Sequence, residues 1–268
     1  MRAIEAKTFS GYDALRQAEY PKPQAAKDKV LIRVTAAGVI EDAGKSGLAL
    51  GSRVMFTGPY GVAASLPVAY LTAQLTLTLA GFKPGMTVLA PGIGGSVGNS
   101  TYQLARAQGA GQVISTAGGA TKAAKARELG FEDVVDLTAE GLADGVRRIT
   151  AGKGVDIVIE SIGGTVTSEA LSSVALGGTL ITLGYSAARK TTIDVTDLIW
   201  KRARMAGFSL FAQSPTAIAT AWRDIIPLIV NGSVKPVVER VYPLGQAGEA
   251  LRHLVEDRPF GKVVVAWL

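Results

Sequence analysis

The chain has 268 residues, 48% of them hydrophobic and 19% charged, with 28 Lys and Arg against 22 Asp and Glu and a net charge of +6. That length holds one large or two modest domains with room for a real core. With no cysteine and a single histidine, His253, the composition excludes disulfides, thiolate catalysis and Cys-ligated zinc, and leaves almost nothing for a histidine-built site, so no metal is expected.

The basic residues are scattered, with Lys201, Arg202 and Arg204 the densest group. The excess suits an anionic small ligand, and nucleic acid is not expected as a partner. The opening MRAIEAKTFSGYD lacks the apolar centre of a signal peptide. The most apolar stretch, 66–82, is rich in Thr and carries Gln74, so it reads as a buried helix and not a membrane span. A cytoplasmic protein that meets no membrane is the expectation.

In chain order, 1–7 and 29–37 alternate apolar and polar residues as half-buried strands do, and 53–56 reads as a third short strand. Residues 67–79 form a helix closed by Gly81 and Pro84. From Thr87 the pattern becomes strand then helix, repeatedly. Strands are expected at 87–90, 112–116, 133–136, 155–161, 178–184 and 205–210. Helices are expected near 98–108, 120–129, 139–150, 166–174 and 195–203. Such alternation with continuous Val/Ile/Leu strands predicts an α/β fold, a Rossmann doubly wound parallel sheet covered on both faces. A helix at 215–230, a strand at 237–243, a helix at 246–256 and a strand at 262–268 complete the chain.

The stretch VLAPGIGGSVG, 88–98, runs from a strand through a glycine turn into a helix. A helix start leaves backbone N–H groups unpaired and carries partial positive charge, and glycines let a phosphate approach them. Gly92, Gly95, Ser96, Val97 and Gly98 therefore form a candidate pyrophosphate seat, with Gly98 allowing close helix–strand packing. The second strand ends Ser115-Thr116-Ala117-Gly118, where an NAD site would place an acid for the ribose 2′-hydroxyl. The neutral end, with Lys122 following, favours NADPH.

At these residues the chain resembles the zinc-independent medium-chain reductases, the quinone oxidoreductase or zeta-crystallin-like family. The stretches that carry the resemblance are LPVAYLTA (66–73), GMTVLAPGIGGSVG (85–98), QLARAQGA (103–110), TAGGATKAAKARELG (116–130), GVDIVIESIGG (154–164), GGTLITLG (177–184) and FGKVVVAWL (260–268). The resemblance implies a Rossmann NADPH-binding domain over 64–235 and a GroES-like β domain from 1–63 and 236–268. It implies roles for Thr72, Gly184 and Tyr185 near the nicotinamide, for Ser115, Thr116 and Lys122 around the 2′-phosphate, and for Ser161 and Ile162 after the fourth strand. Phe208, Leu210 and Phe211 would flank the cleft, and Lys262 would close it from the last strand. The implied reaction is hydride transfer from NADPH to a quinone or an activated alkene, with the proton supplied by water or a hydroxyl. Tyr60 and Tyr70 are the tyrosines nominated for that proton.

Against this family the N-terminal part is short by roughly 50 residues, with abrupt junctions at 39/40 and 63/64. Three origins remain open: chain missing from the numbering, a deletion by design or in nature, or an N-terminus too divergent to be paired. Missing chain would stretch the Cα separation at both junctions well past ~3.8 Å. The shortened β domain is expected to leave strand edges open, and a homodimer is expected, formed by edge addition through KVVVAWL or GTLITLG. An NADPH-binding protein with lost or weak catalysis is the alternative function.

Overall fold

The computed structural model describes residues 2–6, 12–21, 31–34, 38–42 and 66–266. Contacts divide the chain into two units, Val68–Lys235 and Met1–Pro67 with Pro236–Leu268.

The first unit is built on six strands: β5 (Thr87–Ala90), β6 (Gln112–Ala117), β7 (Val134–Asp136), β8 (Val155–Glu160), β9 (Val174–Thr182) and β10 (Arg204–Gly207). They form one sheet in the order β10-β9-β8-β5-β6-β7, every pair parallel. Counted from β5, this is the doubly wound order in which the chain leaves the centre in both directions. The direction reverses between β5 and β8, so their carboxyl ends open into a crevice. The sheet strands are Val/Ile-rich because helices cover both faces. On one face Leu89, Ile114, Val135, Leu142, Val146, Val158, Leu171 and Leu180 form a continuous buried cluster.

The helices of this unit are α1 (Pro67–Ala80), α2 (Ser96–Ala107), α3 (Ala120–Glu128), α4 (Leu142–Ile149), α5 (Thr165–Ser172), α6 (Val195–Lys201) and α7 (Pro215–Val230). The apolar stretch at 66–82 becomes α1, whose 14 residues span about 21 Å, too short for a bilayer core. Its Thr76 hydroxyl turns back onto the carbonyls of Thr72 and Ala73, at 2.7 and 3.0 Å, which lets a polar side chain sit fully buried. Among the described residues no helix is long and apolar enough to cross a membrane.

The other unit holds paired strands: β1 (Arg2–Ala6) antiparallel to β2 (Leu15–Glu19), β3 (Leu31–Val34) antiparallel to β4 (Gly38–Asp42), and β11 (Val238–Pro243) parallel to β12 (Lys262–Ala266). Helix α8 (Ala247–Arg252) continues into a π turn, His253–Asp257, which ends at Arg258 in the left-handed region, φ 47°.

Several expectations need correction. Strands β2 and β4 were not expected, because LRQAE and GVIED do not alternate apolar with polar residues. Strand β9 begins at Val174, four residues early, and passes through Gly177-Gly178 with an irregular register against β8. The helix expected over 139–150 starts only at Leu142, since Asp136 accepts from the Thr138 N–H and hydroxyl and holds 137–140 in a turn. At the 39/40 junction Val39 and Ile40 pair with Arg33 and Ile32 of β3. The 63/64 junction, the strand expected at 53–56 and Tyr60 lie outside the described residues. GTLITLG is an interior strand segment, bonded to β8 on one side and β10 on the other, so it has no edge to offer a second copy.

Candidate functional site

Strand β5 ends at Ala90, and the turn 91–95 carries the chain to α2. Thr116 on β6 grips this turn twice: its hydroxyl oxygen accepts from Gly92 N–H at 3.0 Å and its carbonyl from Ile93 N–H at 2.8 Å. From the helix side the Asn99 amide donates to Ile93 O at 3.3 Å. A methyl group on Gly98 would lie 2.4 Å from Gly92 O and 2.5 Å from Pro91 O, so only glycine lets α2 press against the turn. The helix is capped by Gly95, with no side-chain hydrogen bond, and its first backbone bond runs from Asn99 N–H to Gly95 O. The N–H groups of Ser96, Val97 and Gly98 have no acceptor within the helix by its geometry. They form an uncapped positive end beside the β5–β8 crevice.

The opposite wall is organised by a residue the sequence reading passed over. Glu160 ends β8 and is fully buried. Its carboxylate accepts from Ile162 N–H, from Gly163 N–H at 2.8 Å, from the Thr167 hydroxyl at 2.9 Å and from the Thr182 hydroxyl at 3.2 Å. A buried carboxylate is tolerable only with such a set of donors. Its effect is to hold the loop Ser161–Gly164 rigidly over the crevice. A side chain on Gly92 would meet Ile162 Cδ1 at 3.0 Å, which sets Ile162 directly beside the glycine turn. The next strand end comes equally close: a methyl group on Gly184 would stand 2.2 Å from Ser161 O. Phe208 N–H donates to Thr182 O at 2.9 Å and joins the end of β10 to the same wall.

The glycine turn, the start of α2 and the facing wall thus bring Gly92, Gly95, Ser96, Val97, Gly98, Ser161, Ile162, Gly184, Tyr185 and Phe208 into one neighbourhood. Other expected members are placed differently. Ser115 is fully buried and donates its hydroxyl to Ala90 O inside the sheet, and Thr116 is turned to the glycine turn. Thr72 is buried in α1. Tyr70 is buried too, its hydroxyl accepting from the Gln103 amide at 3.3 Å, and burial pushes its phenol pKa well up. Gln103 also donates to Asn99 Oδ1 at 2.7 Å, so Tyr70 belongs to a chain of polar groups that props the turn from beneath. Phe211 is 94% exposed and Leu210 half-buried on the turn after β10. Lys122 is half-buried in the first turn of α3, and the space around Gly118 and Gly119 before it is open. Lys262 belongs to the other unit, where burial lowers its ammonium pKa. The sequence signal for Glu160 was present: an acid follows the apolar Ile157-Val158-Ile159 and stands immediately before Ser-Ile-Gly-Gly.

The sequence profile of a family described as zinc-binding dehydrogenase matches residues 96–230, half of the chain. Erythronolide synthase EryA2 of Saccharopolyspora erythraea is 33% identical over 206 residues, which are 76% of this chain and 6% of that protein. Quinone oxidoreductase-like protein 2 homolog of Nematostella vectensis is 28% identical over 211 residues, 76% of this chain and 57% of its own length. This chain therefore spans little more than half of the second relative and a small part of the first. A mycobacterial structure complexed with NADPH superposes with a TM-score of 0.85 at 24% identity, covering 99% of this chain and 100% of that one. The sequence has no cysteine, the two ring nitrogens of its one histidine face Glu239 and Asp257, and among the described residues no three His, Asp or Glu side chains are grouped to hold a metal ion. The chain belongs to the zinc-binding dehydrogenase family, in its zinc-independent, quinone oxidoreductase-like medium-chain branch.

Proposed function

We propose that the chain binds NADPH and transfers hydride to a quinone or an activated alkene without a metal. The observation that carries this reading is the uncapped start of α2 beside the crevice where the sheet reverses direction. Backbone N–H groups of Ser96, Val97 and Gly98 would hold the pyrophosphate. The open, acid-free end of β6 at Gly118-Gly119, followed by Lys122, suits a 2′-phosphate better than a bare ribose. The name of the sea-anemone relative and the NADPH held by the mycobacterial structure are in keeping with it. When bound, the nicotinamide supplies the hydride. The chain's own part is positioning: Glu160 fixes Ile162 and Ser161, and Ser161 O backs onto Gly184.

The test is loss of nicotinamide absorbance with a panel of quinones and enones, run with NADPH and with NADH. Turnover that prefers NADPH supports the reading. Equal use of NADH removes the 2′-phosphate assignment. The second reading is binding without turnover. It requires that NADPH raise the thermal midpoint while no acceptor is reduced.

A further inference from the structure

A cleft of about 390 Å³ opens at the carboxyl ends of β9 and β10 and shares Gly184, Tyr185 and Phe208 with the wall described above. Its walls include Leu183, Met205 and Phe208, and its rim carries Arg189 and Lys190. Sheet order places it on the β9–β10 side, roughly 10–15 Å across the strands from the glycine turn. Ile162 links the two places: its side chain lies beside Gly92 and its carbonyl accepts from Ala187 N–H.

The rim is built, not loose. Ala187 N–H donates to Ile162 O at 2.7 Å, and Ala188 forms a bridge with Gly163. A methyl group on Gly163 would sit 2.2 Å from Ala188 O, so the two segments are in direct backbone contact. Arg189 and Lys190 follow at once. The Arg189 guanidinium lies 5.3 Å from the centre of the exposed Tyr185 ring, a cation–π contact that keeps it at the mouth.

Among the described residues nothing acidic lines the cleft. Glu160, behind Thr167 and Thr182, has its oxygens occupied by four donors. Asp194, further along the chain, accepts from the Thr196 N–H and hydroxyl to cap α6. Among the described residues neither Arg189 nor Lys190 forms an ion pair. Two adjacent cations beside an apolar wall, with no acid to answer them, make a site for an amphipathic anion.

We propose that this cleft seats the acceptor, and that Arg189 and Lys190 select acceptors carrying an oxyanion group, a carboxylate or a phosphate ester, on an apolar body. The proposal rests on the reading of the chain as a reductase, and its test is kept separate from turnover. Three enones are compared: 4-phenylbut-3-en-2-one and its para-carboxylate and para-phosphate derivatives. Their affinities for the full chain are measured by calorimetry with NADP+ present, so that no hydride is transferred. The anionic enones bind about tenfold tighter than the neutral one, the size two partly screened ion pairs supply, and added salt shrinks the advantage. In the double variant Arg189→Gln/Lys190→Gln the three affinities converge, while the thermal midpoint stays within the error of the measurement.

A preference for only one derivative identifies which oxyanion the cleft takes. Equal affinities in the wild type, or an advantage that survives the double substitution, overturn the proposal. If the preference is present but NADPH is never consumed, the cleft stands and the reductase reading falls. If neutral and anionic enones are reduced with equal KM, the reverse holds.

Discussion

Glu160 shows how one side chain can govern a site without touching a ligand. Its carboxylate is the common acceptor for two loop N–H groups and two threonine hydroxyls. Glu160→Leu removes the acceptor and leaves the Ile162 and Gly163 N–H groups without their partner. A loss of about 1–3 kcal/mol in urea unfolding is expected, together with weaker NADPH binding as the loop relaxes; unchanged stability would show that the donors find water instead. Gly98→Ala forces a methyl group against Gly92 O and Pro91 O. Overpacking of this kind costs about 1–3 kcal/mol, and because the turn must move, NADPH affinity falls with it. Isothermal titration reads the second effect directly. His253 bridges Asp257 at 2.7 Å and Glu239 at 2.8 Å, hydrogen bonds that raise its pKa above the ordinary 6.5. A raised pKa in the folded chain means the stabilisation is complete below pH 6.5 and is lost as pH rises through the raised value. The thermal midpoint of the wild type therefore declines over that window more than that of His253→Gln, and proton NMR of the imidazole gives the pKa itself.

At the scale of elements, starts and stops follow the local rules. Helix α7 spans Pro215–Val230 as expected because Ser214 accepts from Ala217 N–H at 3.2 Å and Pro215 fills the first helical position. Ser214→Ala removes that cap, and a loss of about 1 kcal/mol in chemical denaturation is expected. Helix α2 is the contrast: Gly95 offers no side-chain cap, so its start stays available to a ligand. The elements of the sheet unit were legible because strand and helix alternate with unbroken Val/Ile runs. Strands β2 and β4 were not, because their own residues carry no period of two and each is defined by its pairing with the strand just before it. The end of α8 was missed for a similar reason: His253 is drawn into a π turn between Glu239 and Asp257, a contact with β11 that no local pattern announces.

For the whole molecule, the two free edges of the six-stranded sheet are β7 and β10. Every residue of β10 is exposed, so among the described residues that edge, unlike GTLITLG, is open to backbone pairing. The homodimer expected from sequence stays a proposal, now with β10 as its candidate contact. NADPH binding would act on the unit Val68–Lys235, which holds the whole glycine turn. At a hundredfold excess over Kd the stabilisation is about 2.7 kcal/mol. Hydrogen exchange should slow at 92–98 and 160–164 before it slows elsewhere, and equal slowing throughout would place the ligand off the crevice.

By itself the sequence determined the α/β class, the run of parallel strands and the glycine turn with its uncapped helix start. Each of these is set by neighbouring residues: period, caps and glycine spacing act within a few positions. Only the tertiary structure decided which hydroxyls face the crevice. Ser115 and Thr116 stand side by side at the end of β6, yet one is used up on Ala90 and the other clamps the glycine turn. Tyr70 went into the core for the same reason, and Glu160 emerged as the organiser of the opposite wall. A polar side chain takes the nearest buried partner that needs it, and which partner is nearest is fixed by how strands distant in the chain lie against one another.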